Sequence, residues 1–275
     1  MDLRGALEEG CHDLSALPAG RLEAEVLLAH ALSTPRSFLY ANPELELPDL
    51  RTEAFRKLVK RRARGEPLAY LTGTREFWSL PLRVTPDVLI PRHETELLVE
   101  AGLEHIPDHR PVRVADLGTG SGAIALAIAS ERGGAEVHAT DISQAALGVA
   151  RHNAERLGLP GVRFHAGSWC QPLSGRFEAI LSNPPYVAAG DPYLLSGDLP
   201  HEPALALSSG PDGLDAIREI VRQGPDYLVP RGWLMLEHGR DQGAALRALL
   251  AEHGYTAVET RRDLSGQERV TLGRF

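Results

Sequence analysis

Asn183-Pro-Pro-Tyr186 follows, after Ser182, on the apolar run Phe177 to Leu181. Two successive prolines fix φ and remove two N–H donors, so a strand that reaches them must stop in a stiff loop. The carbonyl of Pro184 and the side-chain oxygen of Asn183 can then face one way, as a rigid pair of acceptors. Such a pair holds a planar –NH2 group by both hydrogens. Pro185 stiffens the same pocket, and Tyr186 offers a flat face to a flat substrate. The chemistry implied is nitrogen-centred, because aiming a lone pair at an electrophile is most of an in-line displacement. Acceptor bonds that strengthen as the nitrogen gains positive character lower the barrier further. The bland alternative is a Pro-Pro turn that merely closes a strand.

A second constellation lies upstream, at Asp116-Leu-Gly-Thr-Gly-Ser-Gly122. Gly118, Gly120 and Gly122 let backbone approach a ligand closely and place N–H groups at a helix N-terminus. Thr119 and Ser121 belong to the same candidate loop. Gly118-x-Gly120-x-x-Ala123 also satisfies the dinucleotide fingerprint, and Asp141 stands about 20 residues on, where a carboxylate grips ribose hydroxyls. NAD and S-adenosyl-L-methionine both fit that arrangement. The third glycine and the Asp116 carboxylate favour the methyl donor, which carries an ammonium group, whereas a pyrophosphate gains nothing from a nearby negative charge. Trp169 is placed either to stack on an adenine or to serve as an ordinary half-buried indole.

Elements that would carry these residues can be read from periodicity. Before residue 71, apolar residues recur at helical spacing (Leu22, Val26, Leu27 and His30, then Phe55, Leu58 and Val59), which predicts a small helical bundle. Phe77 to Val84 and Val88 to Ile90 read as short strands around the turn-prone Thr85-Pro86-Asp87, a β-hairpin linker. Thr95 to Leu103 reads as a helix. Strands are then expected at 112–116, 137–141, 162–165, 177–181 and 233–237, with helices at 121–130, 144–157 and 214–221. That alternation predicts a mostly parallel sheet covered on both faces, with ligands beyond the carboxyl ends of its strands.

Composition bounds the remaining possibilities. The chain has 275 residues, 43% hydrophobic and 24% charged, which is globular composition. No apolar run approaches the roughly 20 residues of a membrane span. The acidic start MDLRGALEEG lacks a secretory core, and Cys11 and Cys170 are isolated, so a cytoplasmic protein without disulfide or metal is expected. Up to Arg75 there are 11 basic and 11 acidic residues, so the whole net charge of -8 falls on the remainder. A direct nucleic-acid substrate is therefore not expected. The basic run Arg56 to Arg64 reads as a solvated helix face or, alternatively, a docking patch for an acidic or RNA-rich partner.

The Asn183-Pro-Pro-Tyr186 and Asp116 to Gly122 motifs together resemble class I methyltransferases that modify planar exocyclic or amide nitrogens. Further segments look like one family within that class, the release-factor glutamine-N5 methyltransferases of PrmC or HemK type. These are Gly65-Glu-Pro-Leu-Ala-Tyr-Leu-Thr-Gly73, Leu89-Ile-Pro-Arg-His-Glu-Thr-Glu96, Glu202-Pro203 with Ala206-Leu207, Leu236-Glu-His-Gly239, and Asp263 to Arg269 followed by Val-Thr-Leu-Gly.

The resemblance implies an α/β, Rossmann-like doubly wound sheet with a small N-terminal helical domain joined by a β-hairpin linker. The implied domains are a helical docking domain at 1–74, the linker at 75–91 and the methyltransferase domain at 92–275. It implies methyl transfer from S-adenosyl-L-methionine to the glutamine amide in the Gly-Gly-Gln (GGQ) tip of bacterial class 1 peptide chain release factors. Asp116, Gly118 to Gly122, Asp141 and Trp169 would then serve the cofactor and Asn183 both ligands. Pro184, Pro185 and Tyr186 would shape the glutamine pocket. His93 and His201 depart from the family pattern and put only local loop geometry in doubt. A ribosomal-protein glutamine methyltransferase, a DNA adenine-N6 methyltransferase and a non-catalytic nucleoside-binding adaptor are the alternatives.

Overall fold

The computed structural model describes residues 1–108 and 110–275, which form two compact units. The first comprises Met1–Thr74 with Gly197–His201, and the second Arg75–Ser196 with Glu202–Phe275.

The first unit holds α1 (Leu3–Asp13), α2 (Gly20–Leu32), α3 (Arg36–Ala41), α4 (Asp49–Ala63) and α5 (Leu68–Thr72). Helix α1 begins where the Asp2 carboxylate accepts the Gly5 N–H at 2.9 Å, satisfying one of the orphan donors of the first turn. Its core is Leu3, Leu14, Leu27, Leu28, Phe55 and Val59. The expected inner face of α2 needs correction, because Leu22 and His30 are exposed while Ala24, Leu28 and Ala31 are buried. Alanines carry little weight in a pattern of large apolar residues, yet their small size lets α2 run through the middle of the bundle. Buried Glu25 is held there by Arg21 and by Arg36, the latter at 2.6 Å.

The basic run on α4 is largely paired inside this unit. Arg56 takes Glu9 bidentately at 2.7 Å, Lys57 takes Glu53, and Arg61 takes Glu66. Arg62 reaches Glu23 at 2.6 Å and Asp198 at 3.0 Å.

A two-stranded hairpin follows, β1 (Thr74–Phe77), whose first residue closes the first unit, and β2 (Leu80–Arg83). The hairpin is present, but its turn is Trp78-Ser79 and not Thr85-Pro86-Asp87, and Val88 to Ile90 form no strand. Trp78 and Ser79 both have positive φ, 52° and 57°, a conformation hairpin turns favour. Neither residue is a glycine or asparagine, so composition gave no sign of it.

The main sheet has seven strands in the order β5-β4-β3-β6-β7-β9-β8. They are β3 (Val112–Leu117), β4 (Ala135–Asp141), β5 (Arg163–Ala166), β6 (Phe177–Ser182), β7 (Leu228–Glu237), β8 (Thr256–Arg262) and β9 (Glu268–Arg274). Strands β3 to β7 are parallel, whereas β9 runs antiparallel to both β7 and β8. The sequence reading assigned no strand to β8 or β9. Strand β8 alternates weakly because it is an edge strand with mostly exposed side chains.

Helices α6 (Glu96–His105), α7 (Ala123–Glu131), α8 (Gln144–Arg156), α9 (Asp215–Tyr227) and α10 (Gly243–Glu252) complete the unit. Two apolar cores lie against the sheet, as a doubly wound fold requires. One contains Val114, Leu181, Met235 and Leu126, the other Leu117, Ile180, Leu236 and Ile220.

Three register pairs decide where the loops meet. Leu117 pairs with Thr140 and with Ser182, and Ser182 pairs with Leu236. The loops that begin at Gly118 and Asn183 therefore leave neighbouring strands at the same height, at the point where strand order reverses.

A Gly20→Ala substitution checks the bundle packing, since the added Cβ would lie 2.1 Å from the Leu14 carbonyl oxygen. It should lower stability by about 1–3 kcal/mol, read from urea unfolding by circular dichroism; an unchanged midpoint would contradict the packing described.

Candidate active site

At the end of β3, the Asp116 side chain is fully buried. Its Oδ2 accepts the Thr119 hydroxyl at 2.6 Å and the Ala125 N–H at 3.2 Å, which braces the glycine loop against the start of α7. Its Oδ1 is buried without a hydrogen-bond partner. Burial pushes the Asp116 carboxyl up to about 7, against the lowering effect of those two donors.

The loop itself is closely tied down. The N–H groups of Gly118 and Thr119 both donate to the Thr140 carbonyl at 2.9 Å, and the Gly122 N–H donates to the Thr119 carbonyl at 2.8 Å. The Gly120 N–H donates to Asp141 Oδ2 at 2.9 Å, while Asp141 Oδ1 accepts the Ser143 N–H at 2.8 Å. Burial raises the Asp141 pKa, and these N–H bonds oppose the rise. Gly118 is needed at its place: φ is +72°, and a Cβ would lie 3.3 Å from the Trp169 ring. Trp169 in turn sits at a φ of +49°.

A cavity of about 480 Å³ opens over these residues, with Gly118, Gly120, Asp141, Ile142, Trp169 and Asn183 in its wall. Asp87, Asp215 and Glu219 also line it, and no lysine or arginine does among the described residues. The two facts together separate the two ligand classes that the motif left open. A pyrophosphate needs free N–H donors and a positive field, but the donors of Gly118, Thr119, Gly120 and Gly122 are occupied, and the wall offers carboxylates, of which Asp215 and Glu219 are paired with Arg218 and Arg222. A cationic ligand suits that wall.

On the opposite side, Asn183 Nδ2 donates to the Thr95 hydroxyl oxygen at 3.0 Å, which leaves Asn183 Oδ1 as an acceptor toward the cavity it lines. Pro185 also lines the cavity. Pro184 and Tyr186 do not, and neither do Asp116, Thr119, Ser121 or Gly122. Tyr186 is fastened at both ends: its hydroxyl donates to Glu237 Oε1 at 3.2 Å, and its carbonyl accepts Gln242 Nε2 at 3.0 Å. Burial, reinforced by the Glu237 charge, raises the tyrosine pKa far above its ordinary value. His93 and His201 lie outside the cavity wall.

Known proteins resemble the chain over its full length. A family model described as the PrmC N-terminal domain matches residues 5–73, and one described as the methyltransferase small domain matches 94–197. A release factor glutamine methyltransferase of Xylella fastidiosa (strain 9a5c) is 53% identical over 255 residues, covering 92% of this chain and 93% of that protein. Relatives of the same name from Salmonella typhimurium and Escherichia coli K12 are 45% and 44% identical, each covering 100% of this chain and 99% of their own.

The chain belongs to the release factor glutamine methyltransferase family.

It is thus a methyltransferase. Solved structures agree on the fold. A methyltransferase from Pyrococcus furiosus superposes with a TM-score of 0.55 at 19% identity, covering 78% of this chain and 96% of that one. The Thermus thermophilus 16S rRNA N2 G1207 methyltransferase, in complex with AdoMet and guanosine, gives a TM-score of 0.55 at 22% identity, covering 73% and 49%.

Several residues of this methyltransferase site carried no signal in the sequence reading. Ile142 lines the cavity although 61% exposed, directly after Asp141. Thr95 and Glu237 were visible only inside longer family-like segments. Gln242 was not singled out at all, yet it grips Tyr186, the Asp212 carbonyl at 3.3 Å and the Gly239 N–H at 2.8 Å. A carboxylate or amide just past an apolar strand was the one available cue.

Gly213 marks how tightly this side is built, with a φ of +77° and a Cβ position 2.2 Å from the Tyr186 carbonyl oxygen. Gly213→Ala should therefore cost roughly 2 kcal/mol of stability or more and depress turnover by displacing the Asn183 loop. Thermal melting and steady-state rates check this, and wild-type values for both would refute the close approach.

Proposed function

We propose that the chain transfers a methyl group from S-adenosyl-L-methionine to the side-chain amide nitrogen, N5, of the glutamine in the GGQ tip of bacterial class 1 release factors. The observation that carries this reading is a cavity lined by carboxylates and, among the described residues, by no lysine or arginine, with Asn183 in its wall and the Asn183 Nδ2 engaged by Thr95. When bound, S-adenosylmethionine supplies an electrophilic methyl on a positively charged sulfur. Its ammonium and sulfonium charges fit the carboxylate-lined wall. Gly118 and Gly120 would let it approach the backbone, Asp141 would hold the ribose, and Trp169 with Ile142 would flank the base.

The chain's own part is orientation. Asn183 Oδ1 and the Pro184 carbonyl accept the two hydrogens of the glutamine amide and aim its nitrogen. An amide lone pair is delocalised and weakly nucleophilic, so acceptors that bind more strongly as nitrogen becomes positive lower the barrier by about 3 kcal/mol each in a dry site. Once methylated, the nitrogen is acidic enough to lose its proton without a dedicated base.

Three further features support a release factor as the partner. The relatives carry that name, and residues 5–73 match the PrmC N-terminal domain. The acidic lining opposes a nucleic-acid substrate. The helical unit, 1–74, is the proposed docking element, 75–91 a linker, and 92–275 the catalytic domain. Among the described residues no helix is long and apolar enough to cross a membrane, and release factors act where ribosomes are, so the proposed location is the cytoplasm.

Labelled S-adenosylmethionine offered with a release factor, a ribosomal protein and DNA side by side should label the factor, and Gln→Ala in its GGQ should abolish the label. Preferred labelling of DNA or the ribosomal protein would overturn the assignment. Within the site, Asn183→Ala should lower kcat by about 100-fold or more while weakening cofactor binding far less. Asp141→Ala should mainly raise that Kd; calorimetry that reverses this order refutes the division of roles.

A further inference from the structure

Glu237 ends β7, one step beyond the Leu236–Ser182 pair, so it stands beside Asn183 at the carboxyl edge of the sheet. It is 1% exposed. Its Oε1 accepts the Tyr186 hydroxyl, while Oε2 is buried without a hydrogen-bond partner. Thr95, also buried, accepts the Asn183 Nδ2 hydrogen, and its hydroxyl lowers the Glu237 pKa as a donor would. The other charges facing Glu237 are Arg269 from β9, which lowers its pKa and is held by Asp263 at 2.9 Å, and Glu94, which raises it.

A hydroxyl has one proton to give, and an ionised carboxylate can only accept. A Thr95 hydroxyl that turns its proton toward that carboxylate can meet Asn183 only as an acceptor. Asn183 must then turn Nδ2 toward Thr95 and Oδ1 toward the cavity. A protonated carboxyl, or an amide in its place, can donate to Thr95. The hydroxyl is then free to donate to Asn183 Oδ1, and the amide turns its own NH2 to the cavity, where it would meet a substrate –NH2 donor to donor.

We propose that Glu237 is a positioning residue whose negative charge decides, through Thr95 and with Tyr186 held alongside, which end of the Asn183 amide faces the substrate. The proposal rests on the acceptor role of Asn183 in glutamine methylation. Burial raises the Glu237 carboxyl to about 7, so the relay changes state near neutrality. The sign follows directly: the ionised, correctly directed form prevails above that pKa and is lost as pH falls below it.

The test compares wild type, Glu237→Gln, Thr95→Ser and Thr95→Val in the full chain, with a release factor and labelled S-adenosylmethionine, from about pH 5.5 to pH 9. Wild-type kcat should climb about tenfold per pH unit below the Glu237 pKa and level off above it. Glu237→Gln should lower the plateau by about 10- to 100-fold, remove the rise, and leave cofactor Kd within about twofold. Thr95→Ser should stay within about threefold of wild type, while Thr95→Val should fall as far as Glu237→Gln. A Glu237→Gln variant with wild-type kcat, or one that is slow but keeps the wild-type pH rise, overturns the positioning role alone. Wild-type protein that labels no release factor at any pH overturns the functional reading beneath it.

Discussion

The site depends on the register of three parallel strands, β3, β6 and β7. Leu117, Ser182 and Leu236 lie abreast, so Gly118, Asn183 and Glu237 emerge on one line at the carboxyl edge. Strand order reverses between β3 and β6, and the loops that follow leave a crevice there. A slip of one residue would send every side chain to the other face. Two separate cores hold the register, Leu117, Ile180 and Leu236 packing into one while Val114, Leu181 and Met235 enter the other. Ser182 adds a direct bolt, its hydroxyl donating to the Leu117 carbonyl at 2.6 Å.

Charge placement follows the same economy in both units. In the second unit, carboxylates of Asp87, Asp141, Asp215 and Glu219 line the cavity. In the first, the α4 cations that could have formed a nucleic-acid patch are drawn into pairs with Glu9, Glu53, Glu66 and Glu23. Exposed pairs of this kind contribute little to stability. Their consequence is electrostatic: Arg56, Lys57, Arg61 and Arg62, four cations of the run, are partnered by carboxylates of the same unit. The glycine loop shows a parallel effect, since a motif that reads as an anion cradle has its donors occupied by Thr140 and Asp141.

Much of this was legible in the sequence because it depends on local rules. The strands at 112–117, 135–141 and 177–182 each keep apolar residues such as Val112, Val114, Val137, Ala139, Phe177 and Ile180 at buried positions and alternate with helices. The glycine motif and Asn183-Pro-Pro-Tyr186 declare themselves by composition. What stayed hidden depends on partners far along the chain. The turn at Trp78-Ser79 is imposed by the surrounding fold against the preferences of both residues. Strand β8 gains its identity from β9, not from its own pattern. Thr95 and Glu237 are ordinary polar residues until folding brings them to the Asn183-Pro-Pro-Tyr186 loop, Thr95 to the Asn183 amide and Glu237 to the Tyr186 hydroxyl.

Two buried carboxyls frame Asn183, Asp116 from β3 and Glu237 from β7, and each leaves one oxygen without a hydrogen-bond partner. Burial raises both to about 7. An unsatisfied buried polar atom costs about 1–3 kcal/mol, and an apolar replacement of similar volume is often neutral or stabilising. Stability therefore gives no reason to place a carboxyl at either position. The two flank the strand that leads into Asn183, and the sheet offsets their cost through the leucines, isoleucines and valines packed beneath them. One oxygen of each is committed to bracing a loop, Thr119 on one side and Tyr186 on the other. The remaining oxygens are what a purely structural design would have eliminated, and that marks both carboxyls as candidates for a functional role.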